Sequence, residues 1–312
     1  MTITQLKYVL AIAEQKNFTK AAEKCFVTQP TLSTQIQKLE EELDILIFDR
    51  SKKPIDLTSI GRKIVNQARN IVNESERIQD IVDQQKGFIG GEFKLGIIPT
   101  VMPTLLPMFL KSFIKKYPKV KLKIEELTTE EIMQRIHEGH LDAGIAATPL
   151  ENENIKERPL YYEPFVGYIP KEHRLHDKKK INVDDLDIDD MLLLEDGHCF
   201  RDGVINLCKA FKNQTDDSFQ LESGSIETLI KLSNEGLGMT LLPYLHTMEL
   251  NENLQTNLHY FNDPSPAREV SLIFHKSELK MQIIDALHKV ISGIIRGAIA
   301  FSNVKIISPL PK

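Results

Sequence analysis

Cysteine, tryptophan and long apolar runs are scarce or missing from this chain of 312 residues. Three cysteines are too few for the disulfide framework of a secreted protein, and the lack of tryptophan excludes nothing. No apolar run reaches the roughly 18 residues of a membrane span, because Asp285, Lys289 and Arg296 interrupt the last apolar segment. The first residues lack the basic and apolar regions of a secretory leader. We therefore expect a cytoplasmic protein that has no membrane partner and whose thiols are normally reduced.

Composition and charge indicate a globular protein of two domains joined by a linker. Apolar residues make up 41% and charged residues 27% of the chain, which is ordinary for a globular protein, and the length exceeds that of one typical core. Residues 1–87 carry 13 Lys and Arg against 12 Asp and Glu, whereas the rest carries 26 against 32. A near-neutral first part can bind DNA only through a few well-placed groups. Charge alone therefore neither predicts nor excludes DNA binding.

Two short helices joined by a tight turn are predicted near the start of the chain. Apolar residues recur at helical spacing from Ile3, and a second helix is expected around FTKAAEK with Thr19 as its cap. Thr28 is placed to cap a third helix with Pro30 in its first turn. One face of that helix is apolar, and the opposite face is polar and almost uncharged. This favours a helix-turn-helix that enters the major groove, although such a face is also typical of a solvated helical bundle.

The next segments predict a wing and a long linker helix. LIFDR and PIDLT are short strand-like runs around the turn SKKP, which places basic side chains where phosphates would pass. Residues 58–86 are predicted to form one helix, whose apolar positions follow a heptad pattern that favours pairing of two chains. The members of this seam are Ile64, Ala68, Ile71, Ser75, Ile78 and Val82. Gly87, Gly90 and Gly91 then indicate a hinge.

The segments FTKAAEKCFVTQPTLSTQIQKLEEEL and LIFDRSKKPIDLTSIGRKI together resemble a LysR-type transcriptional regulator over residues 1 to about 65. This resemblance implies a winged helix-turn-helix over 1–58, a dimerising linker helix over 59–87 and binding to double-stranded DNA at pseudo-palindromic promoter sites. It also implies an activator that forms a homodimer or homotetramer and works with RNA polymerase. The expected DNA-binding residues are Gln29, Pro30, Thr31, Ser33, Thr34, Gln35, Lys38, Arg50, Lys52 and Lys53.

From residue 92 the pattern changes to strands that alternate with helices, which predicts an α/β region with a parallel sheet. The LysR resemblance implies a two-lobed regulatory domain over 88–312, similar to the periplasmic solute-binding fold. Its lobe I would comprise 88–162 and 267–301, and its lobe II 163–266. Ligands of such sheets lie beyond the carboxyl ends of the strands, where Thr100, Thr128 and Thr129 are expected. Each of these threonines has the alternative role of a helix cap.

The segment EDGHCFRDGVINLC contains Cys199 and Cys208. His198 and Arg201 flank Cys199 in a segment that predicts the start of a helix, and cations or a helix amino terminus favour the reactive thiolate. Arg268 is a further candidate cation, whereas the alternative is that Cys199 is a small buried apolar residue. On one helix, nine residues separate the two Cα atoms by ~13 Å on opposite faces. A disulfide needs about 7 Å, so the pair can close only if the helix unwinds.

The motif LLLEDGHCFRD with the second cysteine also resembles the hydrogen-peroxide-sensing members of the LysR family. The resemblance implies that Cys199 is oxidised by peroxide and that Cys208 resolves the product as an intramolecular disulfide. No cofactor and no metal are implied. The expected peroxide pocket is formed by Thr100, Thr129, His198, Arg201, Asp202 and Arg268.

Three other functions are compatible with the sequence. A regulator of this type could bind a small carboxylate in the crevice near Thr100 and Thr129, with the cysteines not functional. His198, Cys199 and Cys208 could hold a metal, although their spacing is not standard. A thiol peroxidase is disfavoured because an enzyme has no use for a DNA-reading segment. The remaining cysteine, Cys25, is expected in the core of the first region, and the tail SNVKIISPLPK contains no recognisable motif.

Overall fold

A computed structural model describes residues 1–85, 89–195, 197, 199–208, 223–299 and 303–310. The chain divides into two compact units, one of residues 1–88 with 138–140 and one of the remaining residues up to 312. Within the described part, no helix is long and apolar enough to cross a membrane.

The amino-terminal unit is a winged helix-turn-helix followed by a long helix. Its elements are α1 (Ile3–Gln15), α2 (Phe18–Lys24), α3 (Gln29–Leu43), β1 (Phe48–Asp49), β2 (Asp56–Leu57) and α4 (Ser59–Gln85). β1 and β2 pair antiparallel as the wing. Leu32, Ile36 and Leu39 of α3 are fully buried, so the apolar stripe of that helix forms part of the core of this unit.

The helix starts follow from local capping. Thr28 caps α3 and Pro30 lies in its first turn, as predicted. The prediction that Thr19 caps α2 is wrong, because Thr19 lies within α2, which begins at Phe18. Asn17 has an extended backbone, and its side-chain oxygen accepts a hydrogen bond from Lys20 N at 3.0 Å. Asparagine is the stronger cap of the two residue types.

The apolar seam of α4 has two parts with different surroundings. Ala68 is buried in the core of its own unit together with Val65 and Val72. Further along the helix, the side chain of Ile78 is 64% exposed and that of Val82 is 38% exposed. The prediction of one continuous partner-facing seam is therefore wrong for its first half, and the exposed apolar side chains of the seam, among those that the structure describes, lie in its second half.

The second unit contains a mixed sheet. Its first lobe is built from β3 (Gly91–Ile97), α5 (Met102–Lys116), β4 (Val120–Glu126), α6 (Thr129–His137) and β5 (Ala143–Thr148). β4, β3 and β5 are parallel neighbours, which confirms the prediction for this part. Two long strands, β6 (Ile155–Tyr168) and β10 (Ser265–His275), then run antiparallel within the same sheet. Helix α11 (Met281–Ala298) packs on this lobe.

The remaining elements form a second lobe with its own apolar core. They are β7 (Lys180–Ile181), α7 (Cys199–Leu207), α8 (Ile226–Asn234), β8 (Thr240–Pro243), α10 (Glu252–Gln255) and β9 (Leu258–Phe261). Helix α9 (Tyr244–Thr247) directly follows β8, but its Leu245 packs in the core of the first lobe. Strand β6 contributes Leu160 and Tyr161 to the first core and Phe165 and Tyr168 to the second. The same strand therefore runs through both lobes.

The segment that follows α11 pairs with the mixed sheet and contacts α7. β11 (Val304–Ile306) pairs parallel with β10, with Ile306 opposite Ala267. The side-chain amide of Asn206 donates to the carbonyl oxygens of Ser308 at 3.0 Å and Leu310 at 2.7 Å. The tail thus links the strand that carries Arg268 to the helix that begins at Cys199.

Candidate functional site

Cys199 is the first residue of α7 and lies where the two apolar cores meet. Gly197, just before the helix, has a φ of 88°, a left-handed backbone that glycine adopts without strain. Cys199 is half-buried and packs against the first core, whereas Phe200, Val204 and Leu207 belong to the second. The partial positive charge of the α7 amino terminus therefore lies at the position of Cys199.

Arg268 is a buried cation in the same site, although it is distant in sequence. Its Nη1 donates to Thr100 Oγ1 at 2.8 Å and its Nη2 to the Thr100 carbonyl oxygen at 3.0 Å. The guanidinium also lies over the Phe200 ring, 5.0 Å from the centroid. Burial acts to lower the pKa of Arg268, but the charges of Glu163, Tyr161 and Cys199 raise it overall. Arg268 therefore stays charged and interacts electrostatically with Cys199.

Glu163 is the partner of Arg268, and the sequence analysis did not identify it. Its Oε2 accepts hydrogen bonds from Arg268 Nε at 2.9 Å and Nη2 at 2.7 Å, while its Oε1 accepts one from Leu245 N at 3.0 Å. Glu163 is 1% exposed and Arg268 2%. The two residues are opposite each other in the β6–β10 register, and no sequence signal reveals that pairing.

The three candidate threonines have different environments. Thr100 is buried and binds Arg268. The residue directly before α5 is Val101, so Thr100 is not the cap of that helix. Thr128 is a helix cap: Glu131 N donates to its hydroxyl at 3.3 Å and its own N–H donates to Glu131 Oε2 at 2.9 Å. The Thr129 hydroxyl is buried and has no hydrogen-bond partner within the described residues.

A second buried hydroxyl without a partner among the described residues belongs to Tyr161. Burial and the charge of Glu163 raise the pKa of Tyr161 well above its usual value, although Arg268 acts to lower it. Tyr161 therefore keeps its proton near the buried ion pair. The sequence analysis did not identify this residue, because a tyrosine in an alternating strand is typical of an ordinary core position.

Arg201 and Asp202 lie in the first turn of α7, after Cys199 and Phe200. Arg201 Nη1 donates to the Leu194 carbonyl oxygen at 3.1 Å, which braces the start of the helix against the segment before it. The third predicted neighbour of the thiol, His198, lies outside the described residues.

Cys208 directly follows α7 and packs against the core of the second lobe. Burial, followed by the charges of Asp190 and Asp187, raises the pKa of Cys208 to about 12. The helix between the two cysteines separates their Cα atoms by ~13 Å. Both thiols are free in this structure, and so is that of Cys25. Cys25 packs against the core of the first unit, as predicted, and burial raises its pKa despite the opposing charge of Lys24.

The candidate DNA-reading face of α3 is largely solvent-exposed, but some of its side chains already have partners. Gln29, Pro30, Thr31, Thr34 and Lys38 are exposed, whereas Ser33 and Gln35 are half-buried. Gln35 Oε1 accepts a hydrogen bond from Gln5 at 3.3 Å.

In the wing, Arg50 pairs with buried Glu40 at 2.8 Å and stacks on Phe18, and Lys52 pairs with Asp56 at 3.5 Å. Lys53 is exposed.

No group of three His, Cys, Asp or Glu side chains is arranged to hold a metal ion within the described residues.

Comparisons with known proteins match both units. Residues 3–62 match the family described as bacterial regulatory helix-turn-helix protein, lysR family, and residues 86–292 match the LysR substrate binding domain. A hydrogen peroxide-inducible genes activator of Dickeya chrysanthemi is 34% identical over 276 residues, covering 88% of this chain and 89% of that protein.

Two solved structures are similar along nearly the whole chain. A full-length OxyR variant from Pseudomonas aeruginosa is 33% identical with a TM-score of 0.75, over 93% of this chain and 94% of that one. A Corynebacterium glutamicum OxyR mutant with hydrogen peroxide bound is 27% identical with a TM-score of 0.64, over 95% and 93%.

Proposed function

The chain belongs to the LysR family of DNA-binding transcription regulators, and we propose that it is an activator that responds to hydrogen peroxide through Cys199. The observation that carries this proposal is the position of Cys199: a half-buried thiol at a helix amino terminus, beside a buried arginine that also binds Thr100. The family consists of regulators and not of enzymes. One oxidation of the thiol per signalling event is therefore sufficient.

In the first step, the Cys199 sulfur anion attacks one oxygen of hydrogen peroxide. The S–O bond forms as the O–O bond breaks, so the thiolate becomes a sulfenic acid and the other oxygen leaves as hydroxide, which takes a proton to become water. Arg268 and Thr100 donate hydrogen bonds that stabilise the charge on the leaving oxygen. The Thr129 hydroxyl, which has no hydrogen-bond partner among the described residues, supports a role in binding peroxide. His198, Arg201 and Asp202 complete the proposed pocket.

In the second step, the Cys208 sulfur attacks the sulfenic sulfur, the disulfide forms and water leaves. The ~13 Å between the cysteines along α7 exceeds the roughly 7 Å that a disulfide allows. Helix α7 must therefore unwind, which withdraws Phe200, Val204 and Leu207 from the second core. The resulting change in the regulatory unit is the proposed switch.

The output is proposed to be altered binding to pseudo-palindromic promoter DNA. The exposed residues of α3 would read base edges, and Arg50, Lys52 and Lys53 of the wing would contact phosphates. The exposed apolar side chains in the second half of α4 support a homodimer. We further propose that the protein forms a homotetramer and contacts RNA polymerase. The corresponding domains are 1–58, 59–87 and 88–312, with lobe I formed by 88–162 and 267–301 and lobe II by 163–266.

The proposal is tested by titrating the reduced full chain with near-stoichiometric hydrogen peroxide, followed by alkylation and peptide mass mapping. We expect Cys199 and Cys208 to lose their free thiols together and to be recovered as one linked peptide pair, with Cys25 unchanged. Cys25→Ser is the matched control and should behave like the parent protein, whereas Cys208→Ser should stop at an oxidised Cys199. If both thiols survive excess peroxide, the protein responds instead to a bound effector such as a small carboxylate.

A further inference from the structure

Glu163 and Thr100 together engage most of the hydrogen-bond donors of Arg268. An arginine has five N–H donors. Four of those of Arg268 are used by Glu163 Oε2 and by the two oxygens of Thr100, at 2.7–3.0 Å. The fifth, on Nη1, has no partner within the part of the chain that the structure describes. Because Glu163 holds the Nε edge, this remaining donor is the one available for a ligand.

Glu163 is itself held in place. Its second oxygen accepts the Leu245 N–H at the start of α9, so the carboxylate cannot rotate away from Arg268 without losing that bond. The carboxylate also balances the charge of the guanidinium at a buried position, since both side chains are at least 97% buried. An arginine that is paired with a carboxylate stabilises a nearby sulfur anion less than an unpaired arginine would.

We propose that Glu163 is a positioning residue for the reaction of Cys199 with peroxide. Its carboxylate orients the remaining Nη1 donor of Arg268 and reduces the stabilisation that the Arg268 charge gives to the Cys199 sulfur anion. This inference rests on the proposed function and extends it to a residue on β6. Charge and orientation are two separable contributions, and two substitutions divide them. Glu163→Gln removes the charge and keeps the length, whereas Glu163→Asp keeps the charge and shortens the reach.

The test measures the rate of Cys199 modification in the full-length reduced protein between pH 5 and pH 9, with two probes. One probe is hydrogen peroxide, and the other is iodoacetamide, which reacts with the sulfur anion without a leaving oxygen to stabilise. For Glu163→Gln we expect the pH of half-maximal rate to fall by about one unit with both probes, which is about a tenfold faster reaction at the acid end. For Glu163→Asp we expect about a tenfold lower maximal rate with peroxide only.

The matched control is Glu269→Gln, which removes one carboxylate from the neighbouring position of β10. Glu269 bonds Thr148 at 2.7 Å on the other face of the sheet, so its removal should leave both profiles unchanged. An equal pH shift in this control, or a uniform loss of rate without a pH shift in Glu163→Gln, would overturn the inference. If Glu163→Gln does not fold, the difference between the peroxide and iodoacetamide rates of Glu163→Asp still tests whether Glu163 orients Arg268. A shifted iodoacetamide profile in Glu163→Gln, with no peroxide reaction in the parent protein, would refute the proposed function and retain only the effect of the Glu163 charge on the sulfur.

Discussion

Cys208 should be almost inert toward alkylation as long as α7 is intact. Only the thiolate reacts, and the pKa of Cys208 is raised from 9.0 to about 12 by burial and by the charges of Asp190 and Asp187. At pH 8 the thiolate fraction is then about one in ten thousand, compared with about one in ten for a thiol with a pKa of 9.0. We therefore expect alkylation of Cys208 in the reduced native protein to be about a thousandfold slower than in the unfolded chain.

The measurement is a time course with iodoacetamide at pH 8, read by peptide mass for each cysteine in parallel samples with and without urea. The unfolded sample is the control for intrinsic reactivity, and Cys25 is the internal comparison within the native sample. Equal rates for Cys208 in the two samples would refute the reasoning, because the thiol would then be neither buried nor protonated in the folded state.

The raised pKa of Cys208 leads to two further expectations, one for a nearby carboxylate and one for the pH dependence of stability. Asp190→Asn should lower the pKa of Cys208 only in part, because burial is the larger cause. The raised pKa also makes stability depend on pH: the folded state retains a proton that the unfolded thiol loses above its pKa of 9.0. The free energy of unfolding should therefore be unaffected by this group below about pH 9 and should fall as the pH rises from there toward 12. A Cys208→Ser variant should lack that contribution in urea titrations at alkaline pH.

Three other predictions concern stability and the tail. Replacing Thr28 with Ala removes the cap of α3 and should lower the free energy of unfolding by about 1 kcal/mol, measured by thermal unfolding; an unchanged midpoint would contradict the capping role. Gly61→Ala would place a Cβ 2.1 Å from the Ile47 carbonyl oxygen, and we expect a loss of about 1–3 kcal/mol in urea unfolding, so a fully stable variant would count against the packing described. Asn206→Ala removes both hydrogen bonds to the tail and should speed both proteolysis of residues 303–310 and peroxide-driven disulfide formation, whereas slower disulfide formation would show that the tail does not restrain α7.

The predictions from sequence succeeded where the determining interactions are local. Thr28, Pro30 and the apolar stripe of α3 lie within one helix and its first turn, so their spacing alone predicts both the helix and its buried face. Thr19 was mistaken for a cap because the stronger cap, Asn17, lies only two residues before it. Boundaries of this kind depend on backbone angles that composition does not reveal.

The candidate site was predicted only in part because it is assembled across the chain. Arg268 was expected near Cys199 as a further candidate cation and through a family resemblance, but its partner Glu163 lies 105 residues away on another strand. Their contact depends on the register of β6 against β10, which changes at a bulge between Val270 and Ser271. No local periodicity encodes such a register, and a glutamate in a strand is otherwise typical of an exposed position.

The antiparallel return of β10 has a consequence for synthesis of the chain. This strand lies between β5 and β6 in the sheet, although it is made after almost all other elements of the unit. The 190 residues from Gln85 to His275 take ~10–40 s to translate at about 5–20 residues per second. Throughout that interval the nascent chain holds a complete helix-turn-helix, and Cys199, once it has been made, lacks the buried cation until Arg268 follows. The speed of the ribosome therefore sets how long each new copy has its DNA-reading domain without a finished sensor.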